Sequence, residues 1–113
     1  MDKYFKELDL AVTICSKEGE ILEMNEKSKK TFEKSGGGHL VGDNVLNCHP
    51  EPARTKLKSM LQKPCKNAYT IEKNGVKKLI YKTPWFEQGE YKGFIELSME
   101  IPMEMPHYVR KPR

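Results

Sequence analysis

Two runs rich in branched and aromatic residues, Ala68 to Lys73 and Val76 to Trp85, meet at Asn74-Gly75. Asn-Gly accepts positive φ at both central positions of a tight turn, so it joins antiparallel strands and fixes their register. Lys73 must then face Val76. That pairing puts Tyr69, Ile71, Val76 and Ile80 on one face of the hairpin and Thr70, Leu79, Tyr81 and Trp85 on the other. A second turn, Glu87-Gln88-Gly89-Glu90, leads to a third run from Tyr91 to Ile101, in which Ile95, Leu97 and Met99 alternate with Phe94, Glu96 and Ser98. Both faces of this meander carry large apolar groups, yet only one can meet helices. The other is expected to be covered by the N-terminal segment or by a second copy of the chain. The pattern does not say which face is inner.

The first half supplies two more strands and the helices. Residues 2–8 suit a short helix with Tyr4, Phe5 and Leu8 on one side, too short to persist without a surface to lie on. Leu10 to Cys15 reads as a buried strand, Ser16-Lys17-Glu18-Gly19 as a turn, and Glu20 to Met24 as a second strand. Asn25 is placed to cap a helix running to about Lys34, which Ser35-Gly36-Gly37-Gly38 then stops. After Gly42, the run His49-Pro50-Glu51-Pro52 opens an amphipathic helix. Proline is tolerated in a first turn, and an acid there meets the positive end of the helix. Ala53, Leu57, Met60 and Leu61 share one side, with Arg54, Lys56, Lys58 and Lys63 turned away. The order β-β-α-α-β-β-β specifies an α+β domain over residues 9–101, with residues 1–8 as an N-terminal helical cap. Residues 102–113 hold three prolines and form an extended tail, with Met103, Met105 and Tyr108 available to dock on a neighbour.

A chain of 113 residues builds one modest core. With 32% charged residues and no apolar run near the roughly 18 residues that span a bilayer, no membrane segment is expected. No charged-then-apolar leader is recognisable, so a cytoplasmic protein is expected. The net charge of +4 comes from scattered lysines without a nucleic-acid-reading motif, so no nucleic-acid partner is expected. Three cysteines without a Cys-x-x-Cys pair support neither a disulfide framework nor a zinc or other metal site, and Cys15 reads as a small buried hydrophobe. Asp43, Glu51 and Glu72 lack an identifiable partner, Ser16 and Ser98 lack an activating histidine, and Gly36-Gly37-Gly38 lacks the Lys-Ser/Thr of a phosphate loop. No catalytic residue is named, and a non-enzyme is expected.

The pieces Ile14-Cys15-Ser16-Lys17-Glu18-Gly19-Glu20-Ile21 with Met24-Asn25, Leu40-Val41-Gly42 leading to His49-Pro50-Glu51, and Thr83-Pro84-Trp85-Phe86 with Gly89 to Phe94 follow the order and spacing of a PAS domain. The chain resembles that family over about residues 8–101. The resemblance implies a five-stranded antiparallel sheet in the order 2-1-5-4-3, with helices on one face and a cavity beneath the central helix. It also implies a sensory or interaction module, often dimeric, that binds haem, flavin, a small metabolite or nothing.

Flavin photochemistry is not expected. The family's reactive cysteine position in Gly42-Asp43-Asn44-Val45 is Val45, and Ser98 stands where those domains place a glutamine. The usual proximal haem histidine position is Leu57, which leaves His49 as a substitute haem ligand beside Cys48. The expected ligand pocket draws on Leu57, Met60, Tyr69, Tyr81, Trp85, Phe94 and Ser98, for a small, mostly apolar or aromatic ligand. These expectations describe a stand-alone, homodimeric, non-catalytic signalling domain that acts by contact with another chain. The alternative is a ligand-free dimerisation domain with a filled core.

Overall fold

A computed structural model describes residues 1–113, the side chain of Cys48 excepted. Strands β1 (Ala11–Ser16), β2 (Ile21–Met24), β3 (Asn67–Lys73), β4 (Val76–Glu87) and β5 (Glu90–Ile101) form one antiparallel sheet in the order β2-β1-β5-β4-β3. Helices α1 (Lys3–Lys6), α2 (Glu26–Thr31) and α3 (Ala53–Leu61) complete the α+β fold. The hairpin register follows from its turn: Asn74 and Gly75 have φ of 53° and 77°, Lys73 pairs with Val76, and Tyr69 pairs with Ile80.

The inner face is the one carrying Cys15 and Phe94, which sit opposite each other on β1 and β5. Both belong to the buried cluster with Ile21, Met24, Leu40, Val45, Leu57 and Leu61. Strict alternation then sends Tyr69, Ile80, Lys82, Glu96 and Ser98 inward, since Tyr69 pairs with Ile80, Ile80 with Ser98 and Lys82 with Glu96. The opposite face presents Val12, Ile14, Ile95 and Leu97, and α1 lies beside it with Phe5 and Leu8 bordering the same groove. The N-terminal segment thus reaches the outer face but covers only part of it, and Phe5 remains 49% exposed.

Asn25 caps α2 as expected, its Oδ1 accepting from Ser28 N at 3.0 Å. It does more than the sequence suggested. The same Oδ1 accepts from Val12 N at 2.9 Å, and Nδ2 donates to Phe5 O at 3.0 Å and Leu10 O at 2.8 Å. One side chain therefore joins α1, β1 and α2. The helix it starts ends at Thr31, short of Lys34, and passes into 3₁₀ turns at Glu33–Ser35 and Gly37–Leu40. The tighter path carries Leu40 into the core.

Pro50 and Pro52 both precede the first helical residue of α3, Ala53, where the sequence had suggested its first turn. Glu51 closes the entry, its carboxylate accepting from Thr55 N at 2.8 Å and from the Thr55 hydroxyl. These hydrogen bonds, the side-chain one foremost, hold its pKa below the usual carboxylate range. Only Leu57 and Leu61 of α3 are buried; Met60 is half-buried and Ala53 exposed. At the far end Tyr91 of β5 donates to Leu61 O at 3.3 Å. Residues 102–113 carry no helix or strand and are exposed throughout. Among the described residues no helix is long and apolar enough to cross a membrane.

Candidate functional site

Helix α3 roofs the inner sheet face, and two adjoining cavities lie beneath that side of the molecule. The larger, about 300 Å³, is lined by Ala53, Lys56, Leu57 and Met60 from α3, by Asn67, Tyr69 and Lys82 from the sheet, and by His49. The smaller, about 200 Å³, is lined by Thr13, Phe32, Leu40, Val45, Glu96 and again His49, among others. His49 borders both. It leaves the 3₁₀ turn Val45–Cys48, and its Nδ1 lies 2.8 Å from Val45 O, which fixes the ring between the two lobes.

Of the residues picked from the sequence, Leu57, Met60 and Tyr69 meet around one cavity. Phe94 is beside them in the packed core. Ser98 shares the inner face but lies farther along the sheet, in a cleft of about 70 Å³ with Asp9 and Lys27. Tyr81 and Trp85 are not brought into the site. Tyr81 pairs with Leu97, an outer-face residue, and alternation carries Trp85 to the same side. There the Trp85 indole spans Gly93, its cross-strand partner, and donates to Cys15 O at 3.0 Å. The close approach of β1 there requires glycine: a Cβ at position 93 would overlap the Cys15 carbonyl oxygen. The side chain of Cys48 lies outside the described residues.

The sequence reading missed Lys82, Glu96 and Thr13. Lys82 is 9% exposed, and its Nζ lies 3.9 Å from Glu96 Oε1 and 6.0 Å from the centre of the Tyr69 ring. These charges are felt by their neighbours. Burial, with the Glu96 charge adding, pushes the Tyr69 hydroxyl pKa up. Burial foremost, with the Glu96 charge adding and Lys82 opposing, pushes the Cys15 thiol up to about 12. Charged and polar groups therefore stand on the sheet floor, within linings that are otherwise mostly apolar. Thr13 adds a hydroxyl that meets Ser28 Oγ at 2.6 Å. The turn alone would not have found the pair: Glu87 opposite Glu90 sets Lys82 against Ile95, and only a bulge between Trp85 and Phe86 shifts the register so that Glu96 faces Lys82.

This arrangement does not suit the two large cofactors considered. A porphyrin needs a continuous apolar slot beside its axial ligand, and here the Lys82–Glu96 pair occupies the floor next to His49, in lobes of about 200 and 300 Å³. A flavin adduct finds Val45, a core residue, at the position of the reactive cysteine. Among the described residues no group of three or more His, Cys, Asp or Glu side chains is gathered as a metal site.

No family model and no curated protein matches the sequence. Solved structures do. A C-terminal domain from Streptococcus mutans aligns with a TM-score of 0.68 and 20% identity, covering 86% of this chain and 79% of that one. The PAS domain of BvgS from Bordetella pertussis aligns with a TM-score of 0.62 and 19% identity, covering 88% and 82%. The Aer2 receptor of Vibrio cholerae, described as a dual PAS-haem oxygen sensor, aligns with a TM-score of 0.62 and 17% identity, covering 82% and 95%. With this strand order, with α3 over the inner face, and with these likenesses in backbone, the chain has the PAS fold.

Proposed function

We propose that the domain is a non-catalytic sensory module that takes up a small molecule between α3 and the inner sheet face and transmits its presence through the N-terminal segment. The observation that carries this reading is a set of hydrogen bonds running from the cavity wall to that segment. Thr13 lines the smaller lobe and bonds Ser28, Ser28 N donates to Asn25 Oδ1, and Asn25 Nδ2 holds the carbonyls of Phe5 and Leu10. A roof anchored by only Leu57 and Leu61 also favours entry, since few buried contacts oppose its opening. The polar floor argues for a ligand with charged or hydrogen-bonding groups as well as an apolar part, in contrast to the mostly apolar one expected from sequence.

Native mass spectrometry tests uptake: an adduct present in the native mass and absent from the denatured mass supports it. Hydrogen exchange tests transmission. Ligand binding is expected to change exchange at residues 5–10 as well as at the cavity, and an unchanged N-terminal segment would overturn the proposed route.

A homodimer through the outer face is a second reading, favoured by one feature. The groove there measures about 570 Å³ and is lined almost wholly by apolar side chains, among them Phe5, Leu8, Val12, Ile14, Ile95 and Leu97. Light scattering is expected to give twice the chain mass. Phe5→Glu is expected to give a folded monomer, because that residue is already half exposed. A wild-type monomer at high concentration refutes the dimer.

A further inference from the structure

Lys82 and Glu96 face each other across β4 and β5, inside the fold. Their separation of 3.9 Å exceeds the roughly 2.7–2.9 Å of a charge-assisted hydrogen bond. An ammonium offers three donors and a carboxylate about four acceptor sites, so each group keeps bonding capacity unused. That capacity opens into different lobes. Lys82 borders the larger one, with Asn67 and Tyr69, and Glu96 borders the smaller, with Thr13.

The charge of a ligand that fits can be argued from this pair. An anion drawn to Lys82 meets the like charge of Glu96 beside it. A cation drawn to Glu96 meets Lys82 in the same way. A zwitterion set antiparallel to the pair satisfies both groups and adds no net charge. When its ammonium and carboxylate sit on one carbon, their short span suits two groups 3.9 Å apart. The ligand then sits where the two lobes meet beside His49, its ammonium toward the smaller one and its apolar side chain against Leu57, Met60 and the Tyr69 ring in the larger.

Resting on the reading of this cavity as the ligand site, we propose that its occupant is a free α-amino acid, with its carboxylate on Lys82, its ammonium on Glu96 and its side chain against α3. Glu96 and Lys82 are thus specificity-determining residues.

The test begins with a thermal-shift screen of the full chain against the twenty proteinogenic L-amino acids. The best binder is then compared by calorimetry with its deaminated acid and its decarboxylated amine. Both analogues are expected to bind roughly ten- to a hundredfold more weakly, the effect of losing one charge-assisted contact. Lys82→Met is expected to weaken the amino acid and the acid while sparing the amine, and Glu96→Gln to do the reverse. A merely structural role would not produce that charge-selective split. The analogue series uses the unaltered protein, so it decides the matter even if a variant fails to fold. An acid or amine that binds as tightly as the parent overturns the zwitterion while leaving the cavity as a ligand site. No shift with any of the twenty overturns it as well, and only if native mass spectrometry also shows no adduct does the cavity reading fall with it.

Discussion

Replacing Asn25 with leucine keeps the branched heavy-atom skeleton and removes every polar atom from a residue that is 1% exposed. Four hydrogen bonds of 2.8 to 3.0 Å disappear together, two accepted by Oδ1 and two donated by Nδ2. Loss of the α2 cap alone costs about 1 kcal/mol. The buried Val12 N–H is then left without its partner, at about 1–3 kcal/mol, and the Phe5 and Leu10 carbonyls lose theirs at a more accessible site, together about 1 kcal/mol. The sum is about 3–5 kcal/mol, a large share of the roughly 5–15 kcal/mol that holds a domain of this kind together. Urea denaturation should show a lower midpoint with an unchanged slope. Hydrogen exchange should show the Val12 and Ser28 amides losing protection ahead of β4 and β5. Asn25→Asp sharpens the test: it retains the cap but sets a second oxygen, and a buried charge, against two carbonyls, so it should be similarly damaging. A leucine variant costing less than about 1 kcal/mol, or an aspartate variant as stable as the parent, refutes this account of the node.

Gly93→Ala places a methyl group on the Cys15 carbonyl oxygen and 2.8 Å from the Ser16 carbonyl carbon, both backbone atoms that cannot swing aside. A loss of at least about 2 kcal/mol is expected in thermal or urea melts, and a neutral result would refute the close approach of β1 and β5. Cys15 should resist alkylation in the folded protein at pH 8 and react once it is unfolded. Its folded pKa of about 12 lies above the ordinary 9.0, so the native state keeps a proton that the unfolded chain releases. Stability tied to this group is therefore complete below pH 9 and falls as pH rises toward 12, by about 1.4 kcal/mol per unit. Parallel urea titrations of Cys15→Ala, in which that contribution is absent, isolate it; identical slopes in the two proteins would refute it.

The hairpin register was legible because Asn74-Gly75 admits few alternatives, and the Asn25 cap was legible because capping is local. The strand order came from the resemblance and not from any pairing rule in the residues. The inner face was not legible, for a physical reason. Aliphatic side chains are the usual mark of an interior, but here Val12, Ile14, Ile95 and Leu97 face outward, while Lys82 and Glu96 face the helices. Judged by hydrophobicity, the sheet would be turned over. What settles it is long-range packing of Cys15 and Phe94 with Leu57 and Leu40, which no window of sequence contains. The same blindness placed Tyr81 and Trp85 in a pocket they do not border. The reach of Asn25 to Phe5 and Leu10 was hidden because it spans up to 20 residues and depends on how α1 returns to the sheet.

The lone tryptophan gives the molecule its own optical reporter. Its ring rests on the convex side of the sheet, so emission does not register a guest in the interior unless the first and last strands slide against each other. Association over that convex side would exclude water from the indole and move the spectrum toward shorter wavelength. Filling the cavity and pairing of copies thus leave different traces on a single fluorophore, and one titration followed at two protein concentrations separates them.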